Sequence, residues 1–207
     1  MLHIKGPAGT LEALLDKPKG HARAAAVFAH PLPTEGGTMH TKAVYQGSKA
    51  LARIGVASLR FNFRGVGRSG GSWDEGRGER DDYRAALDYM AAHYPHVPLW
   101  AAGFSFGSWI GLEIGAVDDR VKALIGVAPP VESPGYEFPN TRVSTKPKFF
   151  VQGERDEICP LAALRRFYAA LPEPKELAVI EGADHLFDGK TSEVGDAIED
   201  LLGDFDV

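Results

Sequence analysis

Residues 99–109 read LWAAGFSFGSW. Leu99 to Ala102 is a continuous apolar run of the kind that forms a strand covered on both faces. It breaks at Gly103-Phe104-Ser105-Phe106-Gly107, and helix-type residues continue from Ser105 to about Ala116. G-x-S-x-G between a strand and a helix predicts a sharp turn that pushes the serine hydroxyl out of a sheet edge, near the positive end of the following helix. Side chains flanking that turn would obstruct it, which accounts for glycine two residues away on either side. Ser105 is therefore a candidate nucleophile. The motif alone is weak, and its meaning depends on whether the rest of the chain supplies a base, an acid and an oxyanion site.

Working outward, the same strand-then-helix rhythm repeats. Strands are expected at Leu2–Lys5 and Thr10–Leu15, joined by the Gly6-Pro7-Ala8-Gly9 turn, then at Ala24–Ala29, Val56–Phe61, Val121–Ala128, Lys148–Gln152 and Glu176–Ile180. Helices are expected at Thr41–Ile54, Glu79–Tyr94, Pro160–Leu171 and Glu193–Leu202. Arg64–Gly78 and Val131–Lys146 read as loops. Short links between alternating elements predict one α/β sandwich domain spanning residues 1–207. Its sheet should be mostly parallel with an antiparallel start, about eight strands, and helices on both faces.

Composition narrows the classes. A formal net charge of −5 with scattered Lys and Arg argues against a nucleic-acid footprint. A single cysteine, Cys159, excludes an internal disulfide and suits a reducing compartment. The first residues, MLHIKGPAGT, lack the apolar core of a signal peptide, and no run has the length of a membrane span. A cytoplasmic protein without membrane insertion is the expectation.

In a parallel sheet, chemistry belongs at the carboxyl ends of the strands. Four strand exits carry suitable residues: His30–Met39, Ser105, Asp156 and His185. A serine hydroxyl needs a base, and the base needs an acid to orient it. His185 is the best-placed base. His3 and His21 fall outside this edge, and His93 and His96 sit at and after a helix end, with no third metal ligand nearby. His30 ends a strand and reads as a satisfied structural histidine. For the acid, Asp156 competes with Glu154, Glu157, Asp184 and Asp188. Asp184 adjoins His185, and adjacent side chains rarely meet correctly, whereas Asp156 follows a Gly153 turn that can fold back over the edge.

An oxyanion site needs two backbone N–H groups. Phe106, directly after the nucleophile, is one candidate. The other should come from the loop after Ala24–Ala29, where Pro31 and Pro33 have no N–H. Leu32 is the expected donor, with Thr34 second. Cys159 reads as a small apolar filler, and Arg64-Gly65-Val66-Gly67-Arg68-Ser69 as scaffold whose arginines pair with carboxylates.

The blocks HPLPTEGGTMH (30–40), FNFRGVGRSGG (61–71), GFSFG (103–107), APP (128–130), QGERDEICP (152–160) and GADHLF (182–187) occur in this order over nearly the whole chain. In this the chain resembles the α/β-hydrolase superfamily, and within it the small lidless bacterial hydrolases described as predicted esterases. The resemblance implies a nucleophile at Ser105, an acid at Asp156, a base at His185 and oxyanion N–H groups at Leu32 and Phe106. It implies no cofactor and no metal. Relatives often read HPHP in the first block. Here Leu32 replaces the second histidine, which keeps a backbone donor but makes the wall more apolar.

Only Val131–Lys146 is available for a cap, so the site should be open. Leu32, Met39, Trp73, Phe106, Pro130, Phe138 and Phe187 are candidate walls for a small-molecule acyl substrate. These features predict a serine carboxylesterase acting on small to medium acyl esters. A thioesterase, amidase or peptidase using the same residues is the enzymatic alternative, and a non-catalytic binding protein on the same fold is the other. Oligomeric state and natural substrate are not legible.

Overall fold

In the computed structural model, which describes residues 1–206, eight strands form one sheet. They are β1 (Leu2–Gly6), β2 (Gly9–Asp16), β3 (Ala24–Ala29), β4 (Val56–Phe61), β5 (Leu99–Phe104), β6 (Val121–Val127), β7 (Lys148–Gly153) and β8 (Lys175–Ile180). Their order across the sheet is β1-β2-β4-β3-β5-β6-β7-β8. β2 runs antiparallel to both β1 and β4, and all later pairs are parallel. The architecture is the one expected from the sequence. The helices are α1 (Lys42–Arg53), α2 (Arg77–His93), α3 (Phe106–Val117), α4 (Pro139–Val143), α5 (Leu161–Ala170) and α6 (Thr191–Leu202).

The small-apolar strands are apolar on both sides because both sides are covered. In β3, Ala25, Val27 and Ala29 join one core, while Ala24, Ala26 and Phe28 join the other. β5 divides likewise, Leu99 and Ala101 against Trp100, Ala102 and Phe104. The first core takes Tyr83 and Leu87 of α2, Ile110 and Leu112 of α3, and Leu164 and Phe167 of α5. The second takes Val44 and Leu51 of α1 and Val194, Ile198 and Leu202 of α6. Each fully buried Leu, Ile or Phe contributes about 1.5–3 kcal/mol relative to its exposed state. No helix among the described residues is long and apolar enough to cross a membrane.

Three local differences from the sequence reading have simple causes. The segment expected as loop at Val131–Lys146 contains α4. The buried Glu113 carboxylate of α3 accepts hydrogen bonds from the N–H groups of Asn140 and Thr141 and from the Thr141 hydroxyl, satisfying the first turn of that helix from outside. α2 begins at Arg77 rather than Glu79, because the Glu79 carboxylate reaches back to the N–H groups of Asp74 and Gly76 and caps a helix start two residues earlier. A 3₁₀ turn at Pro33–Glu35 occupies the loop after β3. Of the two loop arginines, Arg64 pairs bidentately with Asp82, whereas Arg68 meets Glu12 through its backbone N–H.

Candidate active site

Ser105 sits between β5 and α3 with φ 51° and ψ −119°, a conformation L-residues rarely adopt. Such a residue costs on the order of 1–3 kcal/mol and persists only where its surroundings hold it. Here its N–H donates to Val127 O across to β6, and its carbonyl accepts from the Ser108 N–H and hydroxyl and from the Trp109 N–H. The flanking glycines are required by close packing. A Cβ on Gly103 would lie 2.2 Å from Gly107 C and O, and one on Gly107 would lie 2.5 Å from the Ala29 and His30 carbonyl oxygens. The start of α3 is thereby pressed against the exit of β3.

His185 and Asp156 meet Ser105 in a line. The Ser105 hydroxyl donates to His185 Nε2 at 3.0 Å, and His185 Nδ1 donates to Asp156 Oδ2 at 2.7 Å. A carboxylate oxygen can only accept, so the Nδ1 proton and the free Nε2 lone pair follow from the partners. Asp156 is saturated. Its Oδ1 accepts from the N–H groups of Ile158 and Cys159 at 2.9 and 2.7 Å, and its Oδ2 also accepts from Gln152 Nε2 at 2.9 Å. Of the competing carboxylates, Glu154 accepts from the Gly182 N–H and Asp184 from the Asp188 N–H, both as turn residues.

The loop after β3 is fixed by His30. Its Nδ1–H donates to Pro31 O at 2.7 Å, and its Nε2 accepts the Phe63 N–H at 3.1 Å. Full burial pushes its pKa down to about 4, against the slight upward pull of the Pro31 bond, so the ring is neutral. A trans peptide is planar, so with Pro31 O held by His30, the Leu32 N–H points the opposite way. Leu32 O in turn accepts from Glu35 and Gly37 N–H groups, and Gly37 is obligatory because its Cβ would lie 2.1 Å from Pro31 O. Among the described residues, no hydrogen bond occupies the N–H of Leu32 or of Phe106. Phe106 stands first in α3, where an N–H has no intrahelical partner and the helix dipole favours negative charge.

The candidate walls divide. Leu32 and Trp73 are half-buried, and Trp73 packs on the buried Phe106 ring at 5.3 Å. Pro130 is buried in the segment after β6. Met39 and Phe187 differ from the expectation, since neither side chain is exposed. Met39 is drawn inward because its N–H donates to Asn62 Oδ1 and its carbonyl accepts from Arg60. Phe187, at φ 56°, turns its ring onto Phe104 in the core beneath His185. Phe138 also differs from the expectation: it is buried against Phe167 and borders a separate groove of about 340 Å³ with Glu132, Tyr136 and Arg142.

Trp109 and Tyr136 were not anticipated. Trp109 continues the aromatic row from Phe106 at 5.8 Å and meets Tyr136 edge-on at 5.1 Å, with its indole N–H on Glu137 O. Trp109 lies one helical turn after Ser105, a spacing that could have found it; Tyr136 carries no sequence signal. Asp156, Cys159 and His185 are the one set among the described residues whose donor atoms lie close enough together for a metal, within 4.8 Å. All of the Asp156 oxygens are already engaged, however, and burial with the nearby Asp156 charge pushes the Cys159 thiol up to about 12, keeping it protonated. The cluster is thus built as a hydrogen-bond network, and the thiol is a buried neighbour of Ser105 rather than a second nucleophile.

Known proteins share this fold. The family described as serine aminopeptidase, S33, matches residues 20–143. An α/β serine hydrolase homologue from Coxiella burnetii is 39% identical, with a TM-score of 0.90 over 97% of this chain and 96% of that one. A lidless α/β serine hydrolase from Xanthomonas campestris is 35% identical, with a TM-score of 0.88 over 96% and 91% of the two chains. An uncharacterized protein of Rickettsia prowazekii is 33% identical over 208 residues, covering 97% of this chain and 87% of its own. With more than half of its length matched by the family, the chain belongs to the serine aminopeptidase (S33) family of α/β serine hydrolases.

Proposed function

We propose that the protein is a carboxylesterase that cleaves small to medium acyl esters through an acyl-enzyme on Ser105. The observation that carries this is the continuous line from Ser105 Oγ through His185 to Asp156, beside two unoccupied backbone N–H groups. His185 takes the proton of Ser105 as its oxygen attacks the acyl carbon. The oxyanion that forms is received by the N–H groups of Phe106 and Leu32, and His185 then hands the proton to the leaving alcohol. Water, deprotonated by the same His185, releases the acid. Asp156 holds the ring in the productive tautomer throughout.

Esters are favoured over peptides by the setting. The segment between β6 and β7 holds only the five-residue α4, and the walls near Ser105 are Leu32, Trp73, Phe106 and Trp109. The half-buried Leu32 and Trp73 present apolar surface for an acyl chain, while Phe106 and Trp109 are buried and the Arg80 guanidinium lies over the Trp109 ring. The name of the matched family favours a second reading, an aminopeptidase using the same residues.

Matched ester, thioester and amide substrates separate the two. The ester should turn over fastest by a wide margin, and a fluorophosphonate should label wild type but not Ser105→Ala. A preference for the amide would overturn the esterase reading. Folded wild type that resists the probe would overturn catalysis at Ser105.

A further inference from the structure

The end of β7 holds a buried side chain that the chemistry above leaves unassigned. Gln152 has no exposed surface, and its backbone is paired to Val179 of β8. One N–H of its amide donates to Asp156 Oδ2 at 2.9 Å and the other to Cys159 O at 2.7 Å. Both partners are acceptors, so the amide cannot be turned the other way round. Its own Oε1, however, meets no donor among the described residues. A buried carbonyl without a partner costs stability, and an apolar residue of similar volume would avoid that cost. The amide is thus a poor core residue and a well-placed donor.

Its reach explains what it supplies. The Cys159 N–H holds Asp156 Oδ1 while the Cys159 carbonyl is held by Gln152, which closes a ring from Gln152 through Asp156 to Cys159 and back. Oδ1 is pinned by two backbone groups of the loop itself. Oδ2, the oxygen that receives His185, has among the described residues only Gln152 to tie it to the sheet. Without that donor the carboxylate is fixed at one oxygen and can swing at the other.

We propose that Gln152 is a positioning residue that fixes Asp156 Oδ2, and through it the His185 ring, relative to the sheet that carries Ser105. It touches no substrate. The proposal rests on Ser105, Asp156 and His185 as the catalytic set, and a Ser105→Ala control keeps the two apart. If that control still turns over ester, the catalytic assignment fails; if it is dead, the Gln152 variants are informative.

The test uses Gln152→Met, which keeps the volume and removes the donor, and Gln152→Glu, which keeps the shape and sets a carboxylate oxygen against Oδ2. Each is assayed on p-nitrophenyl acetate well below its own unfolding midpoint, so that lost stability does not register as lost activity. Gln152→Met should lower kcat between about tenfold and a hundredfold with KM changed by less than about twofold. The low-field proton signal of His185 Nδ1–H should move upfield as its bond to Oδ2 loosens. Gln152→Glu at alkaline pH should lose more than Gln152→Met, because an acceptor then faces an acceptor. Wild-type kcat with an unmoved His185 signal in folded Gln152→Met would overturn the proposal, as would wild-type activity in Gln152→Glu. Should Gln152→Met fail to fold, Gln152→Glu decides alone on the same two readouts.

Discussion

Two loops on the same edge of the sheet are built in opposite ways. In the loop after β7, Asp156 accepts four hydrogen bonds, two at each oxygen. In the loop after β3, the carbonyls are taken up while the Leu32 N–H is left open. The first loop must hold a charge that is already there, and a buried carboxylate is tolerable only when its lone pairs are filled. The second is arranged to receive a charge that is not there yet, and an unfilled donor costs no reorganisation when that charge appears. On the proposed mechanism, saturation belongs to the acid and vacancy to the oxyanion side.

The comparison can be broken most severely on the saturated side. Asp156→Asn should lower kcat by roughly 10⁴-fold, because the amide can present a donor to His185 Nδ1 and favour the wrong tautomer. Steady-state rates on a p-nitrophenyl ester measure this, and a loss below tenfold would remove Asp156 from its role.

On the open side the cleanest change is Leu32→Pro. Leu32 has φ −51° and ψ 119°, values proline adopts, and its N–H serves no bond among the described residues. The variant should fold with little change in melting temperature and lose about 10²–10³-fold in kcat. Undiminished kcat would reassign the second donor, Thr34 being next.

A smaller effect is expected one step further back. His30→Leu removes the clamp on Pro31 O and leaves the Phe63 N–H without its acceptor. It should lower kcat by about tenfold through a loosened Leu32 N–H, and stability by about 1–3 kcal/mol. Chemical denaturation and kinetics separate the two losses.

The last effect is one of pH. His30 has its pKa lowered from 6.5 to about 4 in the folded protein. As pH falls, the unfolded chain therefore takes up this proton first. The contribution of neutral His30 to stability is intact above about 6.5, declines through the interval down to about 4, and is absent below it. Urea midpoints between these pH values should fall for wild type and be flatter for His30→Asn, which has no proton to gain there. Equal slopes would mean that the ring is not sealed as described.

Much of this was legible in the chain. β3 and β5 announced themselves as unbroken apolar runs because both faces are buried, and a strand with two covered faces has no reason to alternate. Ser105, His185 and Asp156 were legible from turn chemistry and strand-exit placement. α4 was not, because its first turn is completed by Glu113 from another helix rather than by a local cap. Met39 and Phe187 read as walls because they are apolar and near the site in sequence. Their burial depends on partners far along the chain, Asn62 and Arg60 for one and Phe104 for the other. Gln152 gave no signal at all, since a polar residue ending a strand has many uses and its two partners lie beyond a turn.

The sequence by itself determined the order of elements, the parallel sheet and which strand exits hold Ser105, Asp156 and His185, because periodicity, glycine and proline act over a few residues and need no partner. Only the tertiary structure decided the rest: which oxygen of Asp156 meets His185, that Gln152 ties this oxygen to the sheet, that His30 is sealed and neutral, and which aromatic rings line the elbow. Those are outcomes of hydrogen bonds and packing between residues tens of positions apart. Their geometry exists only once the sheet has brought the strand ends together.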